Sequence, residues 1–185
     1  MTKQYKKITT PLTDEVVKSL KAGDNVLISG EVYTARDAAH KRFISCIKEG
    51  KELPIDLNGK VIYYVGPAPA KPGYVCGSAG PTTSGRMDSN TPPLLDRGLK
   101  GMIGKGLRSP EVVESMKKNK AVYFAATGGA AALIAKSIKK VELVAYEDLG
   151  TEAVRKMVVE DLPVTVVIDS EGNNLYETGP VKYKR

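Results

Sequence analysis

The sequence predicts an α/β fold with mixed sheets and flanking helices, and three observations predict it. Short apolar runs of strand character alternate with amphipathic segments of helical period along most of the chain. The alternation breaks once, at a stretch rich in glycine and proline, and then resumes. With 185 residues, 42% hydrophobic and 26% charged, the chain has the size and composition of one domain able to bury its own core. Residues 1–185 therefore read as a single domain with a basic tail at each end and no internal repeat.

The first helix is expected over residues 13–21. Thr13 can cap it, Asp14 and Glu15 favour its positive start, and Val16, Val17 and Leu20 share a face. Gly23 stops it, and residues 25–29 read as a buried strand. Thr34, with Asp37 three residues on, has the form of a capping box. It opens a helix reaching about Glu49, with Ala39, Phe43, Cys46 and Ile47 inward.

Residues 61–65 make the next strand. Residues 66–106 then hold 9 of the 18 glycines and 6 of the 11 prolines. Five bases (Lys71, Arg86, Arg97, Lys100, Lys105) meet only Asp88 and Asp96 there. A loop region of that length within a domain is functional or disordered, and its apolar residues and glycine spacing favour function. Beyond it, Ser109 caps a helix over 109–119 with Pro110 at its first position. A strand (121–126), a small-residue helix (129–139), a strand (141–146), a helix (151–160) and a strand (163–168) follow. Glu171-Gly172-Asn173-Asn174 turns into a short final strand.

The net charge of +7 comes from 28 Lys plus Arg against 21 Asp plus Glu. Six of those seven surplus charges sit at Lys3, Lys6, Lys7, Lys182, Lys184 and Arg185, so they read as solvated tails rather than a nucleic-acid face. No apolar run is long enough for a membrane span, and the N-terminal residues lack a secretory apolar region. Two cysteines make a reducing cytoplasm the expected compartment.

Candidate chemistry concentrates in four segments. Gly80-Pro81-Thr82-Thr83-Ser84-Gly85-Arg86-Met87-Asp88 sets three hydroxyls between two glycines, followed by a guanidinium. Such a loop either holds a carboxylate through Arg86 and exposed N–H groups or is simply well capped. Gly101-Met102-Ile103-Gly104-Lys105-Gly106 offers a lysine to a small anion but lacks the spacing and the hydroxyl of a nucleotide phosphate loop. Arg36 stands in a helix's first turn, where a cation is unfavourable unless an anion faces it, and His40 shares its side of the helix. Ala126-Thr127-Gly128-Gly129-Ala130-Ala131-Ala132 is a strand-to-helix turn that either presents N–H groups or packs closely. One His with Cys46 and Cys76 can build neither a zinc site without carboxylates nor an iron–sulfur site. No Ser/His/Asp triad is visible.

Several of these segments carry a resemblance. Thr34-Ala35-Arg36-Asp37-Ala38-Ala39-His40, the Gly80–Asp88 loop, Ile103-Gly104-Lys105-Gly106, Gly128-Gly129-Ala130-Ala131, Glu147-Asp148-Leu149-Gly150-Thr151-Glu152-Ala153 and Asp161-Leu162-Pro163-Val164-Thr165-Val166-Val167-Ile168-Asp169 occur in this order. Over nearly its whole length the chain resembles the β-type subunit, or C-terminal domain, of class I iron–sulfur-dependent fumarate hydratases and L(+)-tartrate dehydratases. The resemblance implies a swivelling β/β/α domain and a partner α subunit holding a [4Fe–4S] cluster through three cysteines. It also implies a higher α/β assembly. Carried over residue by residue, it makes Arg36, Arg86 and Lys105 substrate-binding cations and Thr82 the proposed base, with no metal ligand in this chain. The implied reaction is the reversible hydration of fumarate to (S)-malate, in which two carboxylates must be held while charge builds beside one of them. Dehydration of L-tartrate is the alternative, and a non-enzymatic anion- or nucleic-acid-binding module is the alternative of another class. The aromatic content of 6%, without basic–aromatic alternation, speaks against the last.

Overall fold

A computed structural model describes residues 4–126 and 131–181. Its strands are β1 (Tyr5–Thr9), β2 (Asn25–Thr34), β3 (Val61–Tyr63), β4 (Gly101–Gly104), β5 (Val122–Ala125), β6 (Ile138–Ala145) and β7 (Val154–Ile168). Its helices are α1 (Asp14–Ser19), α2 (Asp37–Lys48), α3 (Pro92–Leu95), α4 (Pro110–Asn119), α5 (Ala131–Ser137) and α6 (Leu175–Val181).

The strands run in the order β1-β2-β3-β4-β5-β7-β6, with β2 also paired to β7. Pairing from β1 through β5 is parallel, while β7 is antiparallel to β2, β5 and β6. The result is a mixed α/β architecture, as expected. Because the pairing returns from β7 to β2, the sheet encloses one apolar core and turns a second toward helices. Side chains alternate between the two with the strand period of two. Val61, Tyr63, Ile103, Val122 and Phe124 join Val26, Ile28, Met157 and Val164 in the first core. Ile62, Tyr64, Met102 and Tyr123 join Phe43 of α2, Leu94 and Leu95 of α3, and Val112 and Met116 of α4 in the second.

The local signals hold where the chain caps itself. The Thr13 side chain accepts from Val16 N and that of Ser109 from Val112 N, with Pro110 at the start of α4. The long glycine-rich stretch contains a 3₁₀ segment (Ser84–Asn90), α3 and the fully buried strand β4.

Five expectations are corrected. Residues 151–160 do not form the expected helix: Thr151 and Glu152 end a 3₁₀ segment, and Val154 onward belongs to β7. Val154 and Met157 look like one helical face, yet they enter opposite cores, and both are buried because both sides of the strand are covered. Thr34 caps nothing. It ends β2, donating to Ala153 O at 3.2 Å and accepting from Arg155 N at 3.0 Å, and Arg36 occupies the N-cap. The last element is helix α6 rather than a strand, since Asn174 O accepts from the N–H groups of Glu177 and Thr178. The small-residue helix ends at Ser137, with Ile138 and Lys139 already in β6; residues 127–130 of its glycine turn lie outside the described residues. Finally, Lys6 and Lys7 are not in a solvated tail. They lie on β1, with Lys6 Nζ 2.6 Å from Asp24 Oδ2 and Lys7 Nζ 3.2 Å from Asp161 Oδ2. Lys3, Lys182, Lys184 and Arg185 lie outside the described residues. No helix among the described residues is long and apolar enough to cross a membrane.

Candidate functional site

The parallel strands are aligned with Thr34 opposite Tyr63, Tyr63 opposite Ile103 and Gly104 opposite Ala125, so β2, β3, β4 and β5 finish level. The crevice beyond the carboxyl ends of such strands is where α/β sheets bind ligands. The chain leaving β2 supplies Arg36, and the residue after β4 is Lys105. The hydroxyl-rich loop is tied to the same edge by its backbone. Thr82 N donates to Tyr64 O at 2.8 Å, Thr83 pairs with Lys105, and Ser84 N donates to Lys105 O at 2.8 Å. Arg86 follows in the 3₁₀ segment. All four residues singled out from sequence are thereby brought to one end of the sheet.

Close approach requires glycine at two points. A Cβ on Gly104 would lie 2.0 Å from Ser84 Oγ and 2.9 Å from Tyr64 Cδ2. A Cβ on Gly66 would lie 2.9 Å from Arg36 Nη1 and 3.1 Å from Thr151 O. The first absence lets the loop settle on β4, and the second lets the Arg36 side chain pass.

The electrostatics set three cations beside two acids. Arg36 Nε lies 3.6 Å from Glu152 Oε1, and Arg86 Nε donates to Asp37 Oδ1 at 2.9 Å. Asp37 follows Arg36 in the chain, so one short segment links both arginines. Lys105 is exposed and makes no ion pair among the described residues, while Thr82 is half-buried. His40 is fully buried, with Nδ1 2.8 Å from Arg36 O. Burial, with the positive charge of Arg108 adding to it, lowers its pKa to about 4, so the ring is neutral. Chemically, three cations at one edge of the sheet favour a small anion there.

Sequence reasoning passed over three contributors. In the sequence Asp37 reads only as a capping partner and Glu152 as the start of a helix. Arg108, directly before the Ser109 cap, is entirely buried and fastens the 3₁₀ segment through Asp88. For Arg108 no sequence signal existed, since its partners lie on separate elements.

The two cysteines lie in different places. Cys46 on α2 has Sγ 3.8 Å from Tyr146 OH, and half-buried Cys76 stands in the glycine-rich loop, its thiol pushed up by burial. Among the described residues, no group of three or more His, Cys, Asp or Glu comes together to hold a metal. The residues present do not fit an iron–sulfur cluster. Two cavities, of about 730 and 400 Å³, lie along the 67–78 stretch and include none of Arg36, Arg86 or Lys105.

Residues 2–179 match the family model described as Fumarase C-terminus. A protein of Methanocaldococcus jannaschii, provisionally named L(+)-tartrate dehydratase subunit beta, is 41% identical over 172 residues, covering 90% of this chain and 88% of its own. The anaerobic class I fumarate hydratase of Escherichia coli K12 is 42% identical over 152 residues, 81% of this chain. Fumarate hydratase 2 of Leishmania major is 42% identical over 156 residues, 83% of this chain. The match spans only 28% of the length of each of these two fumarate hydratases.

Proposed function

The chain belongs to the fumarase C-terminus family, and from this we propose that it is the β-type subunit of a reversible hydro-lyase, active only with a separate cluster-bearing chain. The observation that carries the proposal is the convergence of Arg36, Arg86 and Lys105 on the level carboxyl ends of adjacent strands. Two facts support the division of labour. The relative matched over 88% of its length is named a β subunit, and the cysteines here cannot gather round a cluster. The [4Fe–4S] group therefore belongs on the companion.

We also take the domain as the swivelling β/β/α kind, one unit over residues 1–185. An antiparallel layer (β2, β7, β6) facing a parallel layer backed by α2, α3 and α4 supports that reading.

In this proposal Arg36 and Arg86 each grip a substrate carboxylate and fix its position. Removing or returning a proton beside a carboxylate builds negative charge on it, which the guanidinium groups and Lys105 favour most in the transition state. Thr82 is the group that accepts and returns that proton. A hydroxyl is a weak base, so the positive surroundings must favour its charged form. Fumarate is the first substrate to test, and L-tartrate the second because of the tartrate dehydratase relative.

The test is to combine this chain with a cluster-bearing companion chain and to assay fumarate hydration and L-tartrate dehydration. Activity is expected from the pair and not from either chain alone. Robust turnover by this chain by itself overturns the proposal.

A further inference from the structure

Both arginines of the site turn Nε toward a carboxylate of the same chain. Arg86 donates through Nε to Asp37 Oδ1 at 2.9 Å, and Arg36 turns Nε toward Glu152 Oε1 at 3.6 Å. Neither uses a terminal Nη nitrogen in a hydrogen bond among the described residues. A guanidinium offers a carboxylate two bidentate edges, one made by Nε with an Nη and the other by the Nη pair. A carboxylate of the same chain faces the first edge in both residues, and no hydrogen-bond partner occupies the end-on fork of either among the described residues.

Burial separates the Arg36–Glu152 pair from ordinary surface ion pairs, whereas Arg86 is half-exposed beside Asp37. Arg36 Nε, Glu152 Oε1 and Asp37 Oδ2 are all buried without a hydrogen-bond partner. Exposed pairs contribute little to stability, and burying unsatisfied polar atoms opposes it, so stability is a weak reason for this arrangement. Asp37 opens α2 and Glu152 immediately precedes Ala153 and β7, so the two acids reach the site from distant parts of the chain. Site geometry often tightens only when the ligand arrives, and a 3.6 Å contact leaves room for Arg36 to close on Glu152.

We infer that Asp37 and Glu152 are positioning residues, each holding one arginine by its Nε edge so that its Nη pair faces a substrate carboxylate. The inference rests on the proposed substrate-binding role of Arg36 and Arg86. Its opposite is competition, in which the same carboxylates occupy the guanidinium groups and must be displaced. The two differ in sign. Removing a positioning acid weakens substrate binding, and removing a competing acid strengthens it.

The experiment uses the chain assembled with its cluster-bearing companion, and KM and kcat are measured with fumarate. For Asp37→Ala and Glu152→Ala, KM is expected to rise about tenfold, with kcat changing much less. Asp37→Asn and Glu152→Gln should recover most of the loss, because an amide oxygen still accepts from Nε. A purely structural role predicts neither the KM split nor the rescue. An unchanged or lowered KM in the alanine variants, while Arg36→Ala and Arg86→Ala abolish turnover, overturns the inference and leaves the proposed function standing. If the arginine variants keep wild-type rates, the proposed site fails and the inference falls with it. Should the alanine variants not assemble, the amide variants decide. A several-fold rise in KM supports positioning, and no rise or a fall overturns it.

Discussion

Arg108 Nε donates to Asp88 Oδ1 at 2.7 Å from a side chain with no exposed surface. Its Nη2 reaches Thr91 Oγ1 at 3.0 Å, and the guanidinium lies 5.0 and 5.3 Å from the ring centres of Tyr123 and Tyr64. The other Asp88 oxygen accepts from Ser109 N at 2.6 Å. One buried ion pair thus joins the 3₁₀ segment carrying Arg86 to the start of α4. Asp88→Ala leaves a buried cation without its partner and is expected to destabilise the fold by about 3–5 kcal/mol. Asp88→Leu combined with Arg108→Met should lose much less than the two single changes added together. Urea denaturation of the four proteins measures the coupling, and additive losses would show that the pair does not act as a unit.

Gly104→Ala tests how the loop seats on β4. The new Cβ would fall 2.0 Å from Ser84 Oγ, inside any permitted contact. Ser84 is fully buried, its Oγ 2.9 Å from Tyr123 OH, so it has no free space to retreat into. A loss of about 1–3 kcal/mol is expected, together with displacement of the loop bearing Thr82 and Arg86. Adding Ser84→Ala removes the clashing oxygen and should restore part of the loss, as read by thermal unfolding.

Lys105 and Arg86 are exposed or half-exposed, with no role in either core. Lys105→Ala and Arg86→Ala should therefore change stability by under about 1 kcal/mol while turnover by the assembled enzyme falls by orders of magnitude. Wild-type rates with either variant remove that residue from the site.

These residues also show what could be read before the structure. Helices starting with a side-chain cap, at Thr13 and Ser109, were legible because the signal is local and its partner lies three residues away. β7 was not. A β-bulge places Glu160 and Asp161 opposite Ser29, with Asp161 at φ 49°, and strands covered on both sides lose the polar alternation that marks them. β4 hid for a similar reason, because two of its four residues are glycines needed for close approach rather than strand formation. The cations of the site were legible as residue types in unusual places. The acids that face them were not, because Glu152 meets Arg36 only once β7 has folded back along β2.

His40 links the fold to pH. Its Nδ1 is 2.8 Å from Arg36 O, and a carbonyl only accepts, so Nδ1 carries the proton and the buried Nε2 is bare and without a partner. Burial, reinforced by Arg108, lowers the folded pKa to about 4, from an ordinary value of 6.5. Between these two values the unfolded chain binds a proton at this residue and the folded chain does not, so stability rises with pH across the window. The contribution is complete above pH 6.5 and is lost as pH falls toward 4, amounting to about 3 kcal/mol. The carboxyl groups of Asp24 and Asp96, held low by hydrogen bonds and nearby lysines, act in the same direction but at lower pH. His40→Gln keeps a donor for Arg36 O and removes the titration. Denaturation across this window should give a steep pH dependence for the wild-type chain and a much flatter one for the variant. Equal slopes in the two proteins would mean that another group controls the acid limb.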